Sequence, residues 1–259
     1  MNILDKITAH KRTEVEQRKQ AISIKQLEKS PLFDRQPFAA TRFIKERSGI
    51  IAEFKRQSPS KGIIHPNPNI ETIIKGYVSA GVSAISVLTD VDFFGGSDED
   101  LKAARSFNDI PLLRKDFMVD EYQIVEAKAI GADLILLIAA CLSPTEIQAF
   151  GKLAQSLGMQ VLLEVHNQAE LERSICPFVD LVGVNNRDLT TFTVDLQHSY
   201  SLVNQIPSDF LKISESGISN PKTIVELREA GFDGFLIGEN FMKTSEPEKA
   251  CEEFIEAIL

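Results

Sequence analysis

The sequence predicts an α/β protein, a (β/α)8 TIM barrel with an N-terminal helical extension, from three observations. Eight short apolar segments recur from Gly49 onward, about 20 to 30 residues apart, which is near the repeat of a βα unit. Most of them are unbroken, as expected for parallel strands that are covered on both faces. The chain has 259 residues, and barrels of this kind have roughly 250. A doubly wound sheet is the alternative, but it could hold fewer strands.

The strands and helices alternate along the chain. The predicted strands are GIIAEFK, AISVLTD, PLLRKDF, DLILLIAA, MQVLLEVH, DLVGVNNRDL, FLKISESG and FDGFLIGEN. Amphipathic segments between them predict helices, among them NIETIIKGYVSAG, DEYQIVEAKAIGA, SPTEIQAFGKLAQSLG and NPKTIVELREAG. Four of these helices are predicted to end at a glycine, which tolerates the left-handed conformation: Gly81, Gly131, Gly158 and Gly231. Ser143 and Asn220 each precede a proline and are predicted N-caps.

The segment before the first strand predicts a helical arm that packs on the barrel. It contains one charged helix, a shorter helix over SIKQLEK and an irregular link through Pro31 and Pro37. No low-complexity linker separates it from the rest of the chain. We therefore expect one domain over 1–259, with the arm over 1–47 and the barrel over 48–259.

Composition and charge narrow the classes of function. The chain is 43% hydrophobic and 25% charged, ordinary values for a soluble globular protein. Its net charge of −9 and the lack of a basic run argue against nucleic-acid binding. The N-terminus lacks the apolar region of a signal peptide, and no apolar run approaches the roughly 20 residues that span a bilayer. We expect a cytoplasmic protein without a membrane partner.

The cysteines and histidines predict no metal site. The three cysteines are far apart and form no CxxC pair, and the four histidines have no zinc-binding spacing. The acidic residues also lack the ligand pattern of a divalent cation. His65 and His166 lie near predicted loops, but the sequence assigns neither of them a catalytic role.

Charged and polar residues gather at the carboxyl ends of the predicted strands, where the active site of such a barrel lies. Glu53 and Lys55 are two positions apart at the end of the first strand, so they face the same side. Buried charges are costly unless they are paired, and scattered solvated charges would not share one end of the strands. The other strand-end residues are Ser58, Lys115, Glu164, Asn185, Arg187, Glu215, Ser216 and Glu239. We therefore predict a shared site.

Two further patterns suggest the ligand. ISESGI and FLIGEN place glycines after the seventh and eighth strands, where these barrels bind phosphate through backbone amides and a helix N-terminus. Phe93, Phe94 and Phe117 lie in loops or at strand ends and suit an aromatic wall for a flat ligand. The sequence therefore predicts a flat ligand that carries a phosphate.

Seven motifs, in their order along the chain, resemble the indole-3-glycerol phosphate synthase family of tryptophan biosynthesis. They are IIAEFKRQSPSKG, VLTDVDFFGGS, LLRKDF, LLEVHN, GVNNRDL, ISESGI and FLIGENFM. The segment ILDKITAHKRTEVEQRK is similar to the N-terminal helix of that family, so the resemblance covers nearly the whole chain. The phosphate-site motifs recur in other barrels, whereas the ordered set is specific. Because the chain ends after the eighth unit, we expect a monofunctional enzyme.

The resemblance implies a reaction and its requirements. The substrate would be 1-(o-carboxyphenylamino)-1-deoxyribulose 5-phosphate, and its ring closure to indole-3-glycerol phosphate would release carbon dioxide and water. The enzyme would be a carboxy-lyase that uses no cofactor and no metal. We expect a small phosphorylated substrate as its partner, and a monomer or weak oligomer that leaves room for contact with other tryptophan-pathway enzymes.

The resemblance also implies roles for individual residues. Lys115 would be the general acid for attack of the ring carbon on the C2′ carbonyl, and Glu164 the base and stabiliser of positive charge. Glu53 and Asn185 would orient hydroxyls and take part in dehydration. Lys55 would meet the anionic substrate and donate a proton. Ser58 and Ser216 would support the site by hydrogen bonds, and Arg187 would hold the substrate near its carboxylate. The anilino ring would pack on Phe94 and Phe117, with Leu136 and Phe192 behind them. The phosphate would bind the backbone amides of Gly217, Gly238 and Glu239.

The pKa of the acid is a central question for this mechanism. A lysine is a weak acid unless burial or a neighbouring cation lowers its pKa. Lys55 would lower the pKa of Lys115, whereas Glu53 and Glu164 would raise it. The sequence leaves the sign of the shift open.

Three other functions remain open on the residues alone. Lys115 could form a Schiff base, as in a class I aldolase, and borohydride trapping with substrate would distinguish this. The chain could be a phosphosugar isomerase of tryptophan or histidine synthesis, although EFKRQSPS on the first strand argues against it. A non-catalytic sensor of phosphorylated ligands would leave no reason for Lys115 and Glu164 to converge.

Overall fold

The computed structural model describes residues 3–188 and 191–259 and contains a closed parallel barrel. Its strands are β1 (Ile50–Phe54), β2 (Ala84–Leu88), β3 (Leu112–Lys115), β4 (Leu134–Ile138), β5 (Gln160–Val165), β6 (Leu181–Asn185), β7 (Leu211–Glu215) and β8 (Gly234–Ile237). Each strand pairs with the next one along the chain, and β8 pairs with β1. The predicted (β/α)8 barrel is confirmed, and the doubly wound alternative is wrong because the sheet has no open edge.

Helices precede, surround and follow these strands. They are α1 (Ile3–Ala21), α2 (Ile24–Leu27), α3 (Ala40–Glu46), α4 (Ile70–Ser79), α5 (Asp98–Ser106), α6 (Glu121–Ile130), α7 (Pro144–Ser156), α8 (Gln168–Ser174), α9 (Gln197–Leu202), α10 (Pro221–Ala230), α11 (Glu239–Met242) and α12 (Pro247–Glu256). A one-turn 3₁₀ helix, Val203–Gln205, follows α9. A short antiparallel hairpin, Gln57–Ser58 with Gly62–Ile63, follows β1. Within the described ranges, no helix is long and apolar enough to cross a bilayer.

The predicted helix ends are confirmed. The four glycines after α4, α6, α7 and α10 have positive φ angles: Gly81 (87°), Gly131 (98°), Gly158 (78°) and Gly231 (111°). The side chain of Ser143 accepts a hydrogen bond from the backbone N–H of Glu146, and Asn220 accepts one from that of Lys222. These local signals fix where the helices turn back toward the barrel.

Helix α3 lies in the part of the arm where the sequence predicted an irregular link. The helix has seven residues, and its N-cap is Ala39, whose side chain makes no capping hydrogen bond, so the usual start signal is lacking. Ala40 and Ile44 are buried among the aliphatic residues inside the barrel. Tertiary burial of this face therefore stabilises a helix that has weak local signals.

The strands divide their side chains between two apolar clusters. Alternate residues of β1, Ile50 and Ala52, pack outward against the surrounding helices. Ile51 points inward and packs with aliphatic residues of other strands, as the two-residue period of a strand requires. Glu53 follows Ile51 on the inward side. The carboxyl end of β1 therefore places a charged side chain at the barrel mouth, the end of the barrel where the carboxyl ends of the strands meet.

A buried ionic cluster ties the arm to the barrel near the carboxyl ends of β2 and β3. Lys11 of α1 is only 1% exposed. Its Nζ lies 2.8 Å from Glu14 Oε2, 2.9 Å from Asp90 Oδ2 and 3.1 Å from Asp116 Oδ1. Burial lowers the pKa of Lys11, but Asp116, Asp90 and Glu14 outweigh it and raise this pKa above its ordinary value. Lys11 therefore compensates two buried aspartates, and the guanidinium of Arg114, 3.5 Å from Asp116 Oδ2, also compensates Asp116.

We predict that Lys11→Met lowers the free energy of unfolding by about 3–5 kcal/mol, because it leaves Asp90 buried without its cation and Asp116 paired with Arg114 alone. Urea denaturation followed by circular dichroism measures the change. The matched control is Lys102→Met, which removes an exposed pair with Glu99 and should cost less than about 1 kcal/mol. Equal losses in the two variants would show that the buried ion pairs of Lys11 contribute no more to the free energy of unfolding than the exposed pair does.

Candidate active site

The candidate site forms because inward-facing strand positions change from aliphatic to charged at the carboxyl ends. On β1 the inward Ile51 is followed two residues later by Glu53, which is 4% exposed. The same alternation of inward and outward side chains places four charged residues inside the barrel mouth: Glu53, Lys115, Glu164 and Glu215. The closed sheet brings these ends together from strands that are far apart in sequence.

Lys115 lies at the centre of this group. Its Nζ is 2.6 Å from Glu215 Oε2 and 3.3 Å from Glu164 Oε2. The carboxylate of Glu164 also accepts a hydrogen bond from the side chain of Asn185. One ammonium group therefore pairs with two buried carboxylates from two other strands of the barrel.

A second ion pair lies beside the first. Lys55 Nζ is 2.7 Å from Glu53 Oε1, and the hydroxyl of Ser86 donates to Glu53 Oε2 over 3.3 Å. Burial raises the pKa of Glu53, but Lys55 and Lys115 outweigh it and lower the pKa below its ordinary value. Glu53 is therefore ionised and fixed between the two lysines and Ser86.

The structure shows whether the pKa of Lys115 is raised or lowered. Burial lowers its pKa, but Glu215, Glu164 and Glu53 outweigh burial and raise the pKa above the ordinary value of lysine. The neighbouring carboxylates thus determine the direction, and the crowding with Lys55 does not. Lys115 is therefore an ammonium ion.

The two carboxylates that contact Lys115 differ in their ionisation. Burial raises the pKa of Glu164, but Lys115 and His166 lower it below its ordinary value. Burial and the charges of Glu164 and Glu53 outweigh Lys115 at Glu215 and raise its pKa to about 7. The mouth therefore holds a carboxyl group that exchanges its proton near neutral pH.

The fifteen residues to which the family resemblance gave roles line two adjoining pockets, whereas Phe93, which was predicted in the aromatic wall, does not. The first contains Glu53, Lys55, Ser58, Phe94, Lys115, Phe117, Leu136, Glu164, Asn185, Arg187, Phe192 and Ser216. The second contains Gly217, Gly238 and Glu239 and shares several residues with the first. The rings of Phe94 and Phe117 have centroids 6.1 Å apart and are tilted by 40°. Phe93 does not line either pocket, because its ring packs edge-on against His10.

Two parts of the first pocket had no predicted role. Glu215 was predicted only as a strand-end residue, although its position two residues after the inward Ile213 is a usable signal. The arm, in turn, was predicted only to pack on the barrel. Ile3, Leu4 and Ile7 of α1 line the pocket, and their spacing on a charged helix marks an apolar face.

The second pocket combines glycines with basic side chains. Gly217 has a φ of 77°, and Gly238 precedes α11 as its N-cap. Lys61 and Lys243 also line this pocket. The carboxylate of Glu239 lies 3.1 Å from the Arg187 guanidinium and 3.4 Å from the Lys61 ammonium. This end therefore presents exposed backbone and cations that an anionic group can approach.

Gly238 is also required by the first pocket. A Cβ built on Gly238 would lie 2.5 Å from Glu53 Oε1 and 2.9 Å from Glu53 Cβ. A side chain at this position would displace the carboxylate that pairs with Lys55. The glycine thus serves the ion pair as well as the second pocket.

Comparison with known proteins identifies the family. The family model described as "Indole-3-glycerol phosphate synthase" matches residues 4–254. The chain belongs to the indole-3-glycerol phosphate synthase family. An indole-3-glycerol phosphate synthase from Bacteroides thetaiotaomicron is 48% identical over 262 residues, which cover 99% of each chain. One from Polaromonas sp. is 45% identical over 251 residues, 95% of each chain.

The barrel itself is shared more widely than this family. The structure of 3-hexulose-6-phosphate synthase from Salmonella typhimurium superimposes with a TM-score of 0.64 at 14% identity, over 81% of this chain and 98% of that one. At this identity the likeness shows the fold alone. The resemblance to the indole-3-glycerol phosphate synthase family, predicted from the ordered motifs, is confirmed by the family match.

We predict that the Glu215 carboxyl titrates near pH 7, because burial and two neighbouring carboxylates disfavour its charged form. Carbon-13 NMR of protein labelled at the glutamate carboxyl carbons measures this, with Glu215→Gln to assign the signal. Lys115→Met should move the midpoint to higher pH, since it removes the cation that favours ionisation. A midpoint near 4.3, the ordinary value, would contradict the prediction.

Proposed function

We propose that the barrel mouth binds 1-(o-carboxyphenylamino)-1-deoxyribulose 5-phosphate and closes its indole ring. This is the activity of the family, a carboxy-lyase reaction of tryptophan biosynthesis that decarboxylates and dehydrates the substrate to indole-3-glycerol phosphate. The observation that carries the proposal is the Lys115 ammonium, held between Glu164 and Glu215 where an apolar pocket meets a basic one. The apolar part suits the anilino ring, and the basic part suits the phosphate.

The first step is ring closure. The ring carbon that bears the carboxylate attacks the C2′ carbonyl carbon, and Lys115 donates its proton to the carbonyl oxygen as the bond forms. Because the carboxylates hold the proton on Lys115 before attack, the transfer takes place only when the developing alkoxide is basic enough to accept it. The positive charge passes from Lys115 to the substrate, where Glu164 and Glu215 can stabilise it.

Loss of carbon dioxide and water follows. The bond to the carboxylate breaks, and its electron pair neutralises the cationic ring as carbon dioxide leaves. Lys55 then protonates the C2′ hydroxyl, which departs as water, and Glu164 takes the C1′ proton. Glu53, 2.7 Å from Lys55 Nζ, and Asn185 orient the hydroxyls for this step. Two protons are donated and one is returned, so one proton is consumed in each turnover.

The remaining residues hold the substrate in place. Arg187 pairs with the substrate carboxylate, and Ser58 and Ser216 support the site by hydrogen bonds. The anilino ring packs on Phe94, Phe117, Leu136 and Phe192, with Ile3, Leu4 and Ile7 of the arm at the same pocket. The phosphate binds the backbone amides of Gly217, Gly238 and Glu239, beside Lys61 and Lys243. The Glu239 carboxylate would repel phosphate, so its backbone alone serves this role.

Schiff-base chemistry fits the site less well. Lys115 would have to attack as a neutral amine, yet three carboxylates outweigh burial and hold the pKa of Lys115 above its ordinary value. Borohydride should therefore leave Lys115 unmodified in the presence of substrate.

The arm and barrel should act as one unit. We propose a single domain over 1–259, because Ile7, Val15 and Ile44 of the arm are buried against the barrel. We also propose that the enzyme works in the cytoplasm, as a monomer or weak oligomer that can contact other tryptophan-pathway enzymes.

We predict that Lys115→Met lowers turnover by about 100-fold or more, the usual scale for an acid–base group. The assay is formation of indole-3-glycerol phosphate from the purified substrate, and circular dichroism checks that the variant is folded. Lys152→Met, at an exposed position of α7, is the control and should retain full turnover. Near-normal turnover in Lys115→Met would remove this residue from the mechanism.

We predict that Gly217→Ala abolishes the thermal protection that inorganic phosphate gives the wild type. The new Cβ would lie 2.4 Å from Val194 Cγ1 at a φ of 77°, so the Val194 side chain or the backbone of residue 217 must shift where the anion approaches. Gly81→Ala is the matched control: its φ is 87°, but nothing lies within 4 Å of the new Cβ. Both variants should lose stability, and only Gly217→Ala should lose the protection. Retained protection would place the anion elsewhere.

A further inference from the structure

His166 lies between two carboxylates, directly behind Glu164. Its Nδ1 is 3.1 Å from Glu170 Oε2, and its Nε2 is 3.7 Å from Glu164 Oε1. The side chain is 13% exposed, and Nε2 is buried without a hydrogen-bond partner among the described residues. A buried polar atom in this state is rare, and here it points at a carboxylate that contacts Lys115.

The local structure fixes the imidazole in this orientation. Glu164 and His166 are two residues apart at the end of β5 and share a face. Glu170 lies in the first turn of α8, where a negative charge is favoured. Its carboxylate also accepts the backbone N–H of His166 over 2.8 Å and the side-chain amide of Asn167 over 3.0 Å. A carboxylate fixed in this way keeps a proton on Nδ1 and directs Nε2 toward Glu164.

The surroundings favour the charged form of the ring. Burial lowers the pKa of His166, but Glu170, Glu164 and Glu215 outweigh it and raise the pKa above its ordinary value. The charged groups that act on the ring are Glu170 of α8, Glu164 of β5 and Glu215 of β7. Lys115 of β3 and the thiol of Cys141, after β4, lie near Glu164. Burial, with Glu164 and Glu170, raises the pKa of Cys141 to about 12, so the thiol is neutral. Lys115 is the opposing cation, and it binds the other oxygen of Glu164.

We propose that His166 is a positioning residue for the family reaction, whose imidazolium holds Oε1 of Glu164 and keeps this carboxylate ionised when Lys115 gives its proton to substrate. The proposal rests on the proposed function, because it concerns the step in which Lys115 acts as the acid. At 3.7 Å the contact is an ion pair, longer than a hydrogen bond. Once Lys115 is a neutral amine, His166 is the remaining cation within 4 Å of the Glu164 carboxylate among the described residues.

The test compares two variants that remove this charge in different ways. His166→Asn deletes the cation, and Glu170→Gln keeps the ring but removes the carboxylate that favours its protonation. In His166→Asn we expect kcat to fall about tenfold and KM to stay within about twofold of the wild-type value. The acid limb of the plot of kcat against pH should move to higher pH by about one unit. The limb moves up because Glu164 takes a proton more readily without the cation. Glu170→Gln should show a smaller shift in the same direction.

The control is His10→Asn, which changes a surface histidine paired with Asp92 and should leave the profile unchanged. A loss of kcat with an unmoved acid limb in both variants would reduce His166 to a structural role and overturn the proposal. If His166→Asn does not fold, as judged by circular dichroism, the Glu170→Gln profile decides.

The proposed role of His166 can be tested separately from the proposed function. If the wild type forms no indole-3-glycerol phosphate, the proposed function fails, and the electrostatic link is then measured without turnover. Carbon-13 titration of the Glu164 carboxyl should give a higher midpoint in His166→Asn than in the wild type. An equal midpoint in the two proteins would overturn the link between His166 and Glu164.

Discussion

The pairing of one buried ammonium with several buried carboxylates is the interaction on which the barrel mouth depends. Glu164 and Glu215 lie inside a closed sheet, where an unpaired charge would be strongly unfavourable. Lys115 compensates them, and they in turn keep its proton in place. Because one cation cannot fully compensate its neighbours, burial wins at Glu215 and raises its pKa to about 7. Lys115 and Glu215 therefore carry protons that can be transferred during ring closure.

The arm and the active site share a short stretch of chain. Asp116 contacts Lys11 of α1, and it also accepts the backbone N–H of Phe117 over 2.8 Å and the hydroxyl of Thr89 over 2.7 Å. Lys115 and Phe117, on either side of Asp116, line the pocket. The ionic cluster that attaches the arm therefore also holds the segment that carries the proposed acid and one aromatic wall. This coupling gives a physical reason for an arm outside the eight βα units.

Much of the fold and the site follows from local patterns. The spacing of the apolar segments, the glycines after the helices and the N-caps at Ser143 and Asn220 depend on neighbours in sequence, so they could be predicted. The charged strand ends were also predictable, because the two-residue period of a strand continues the inward face of Ile51 to Glu53. Helix α3 was not, since it lacks a capping side chain and is stabilised by burial.

The sequence alone determined the barrel, its family and the side chains that meet at its mouth, because periodicity and motif order are properties of the chain. Only the tertiary structure decided how those side chains are charged. Lys115 and Glu215 are 100 positions apart, and their 2.6 Å contact sets the ionisation of both. The placement of Ile3 and Ile7 in the pocket, and of His166 behind Glu164, is equally a matter of distances across the barrel. Electrostatic energies vary steeply with such distances and with burial, and neither can be obtained from spacing along the chain.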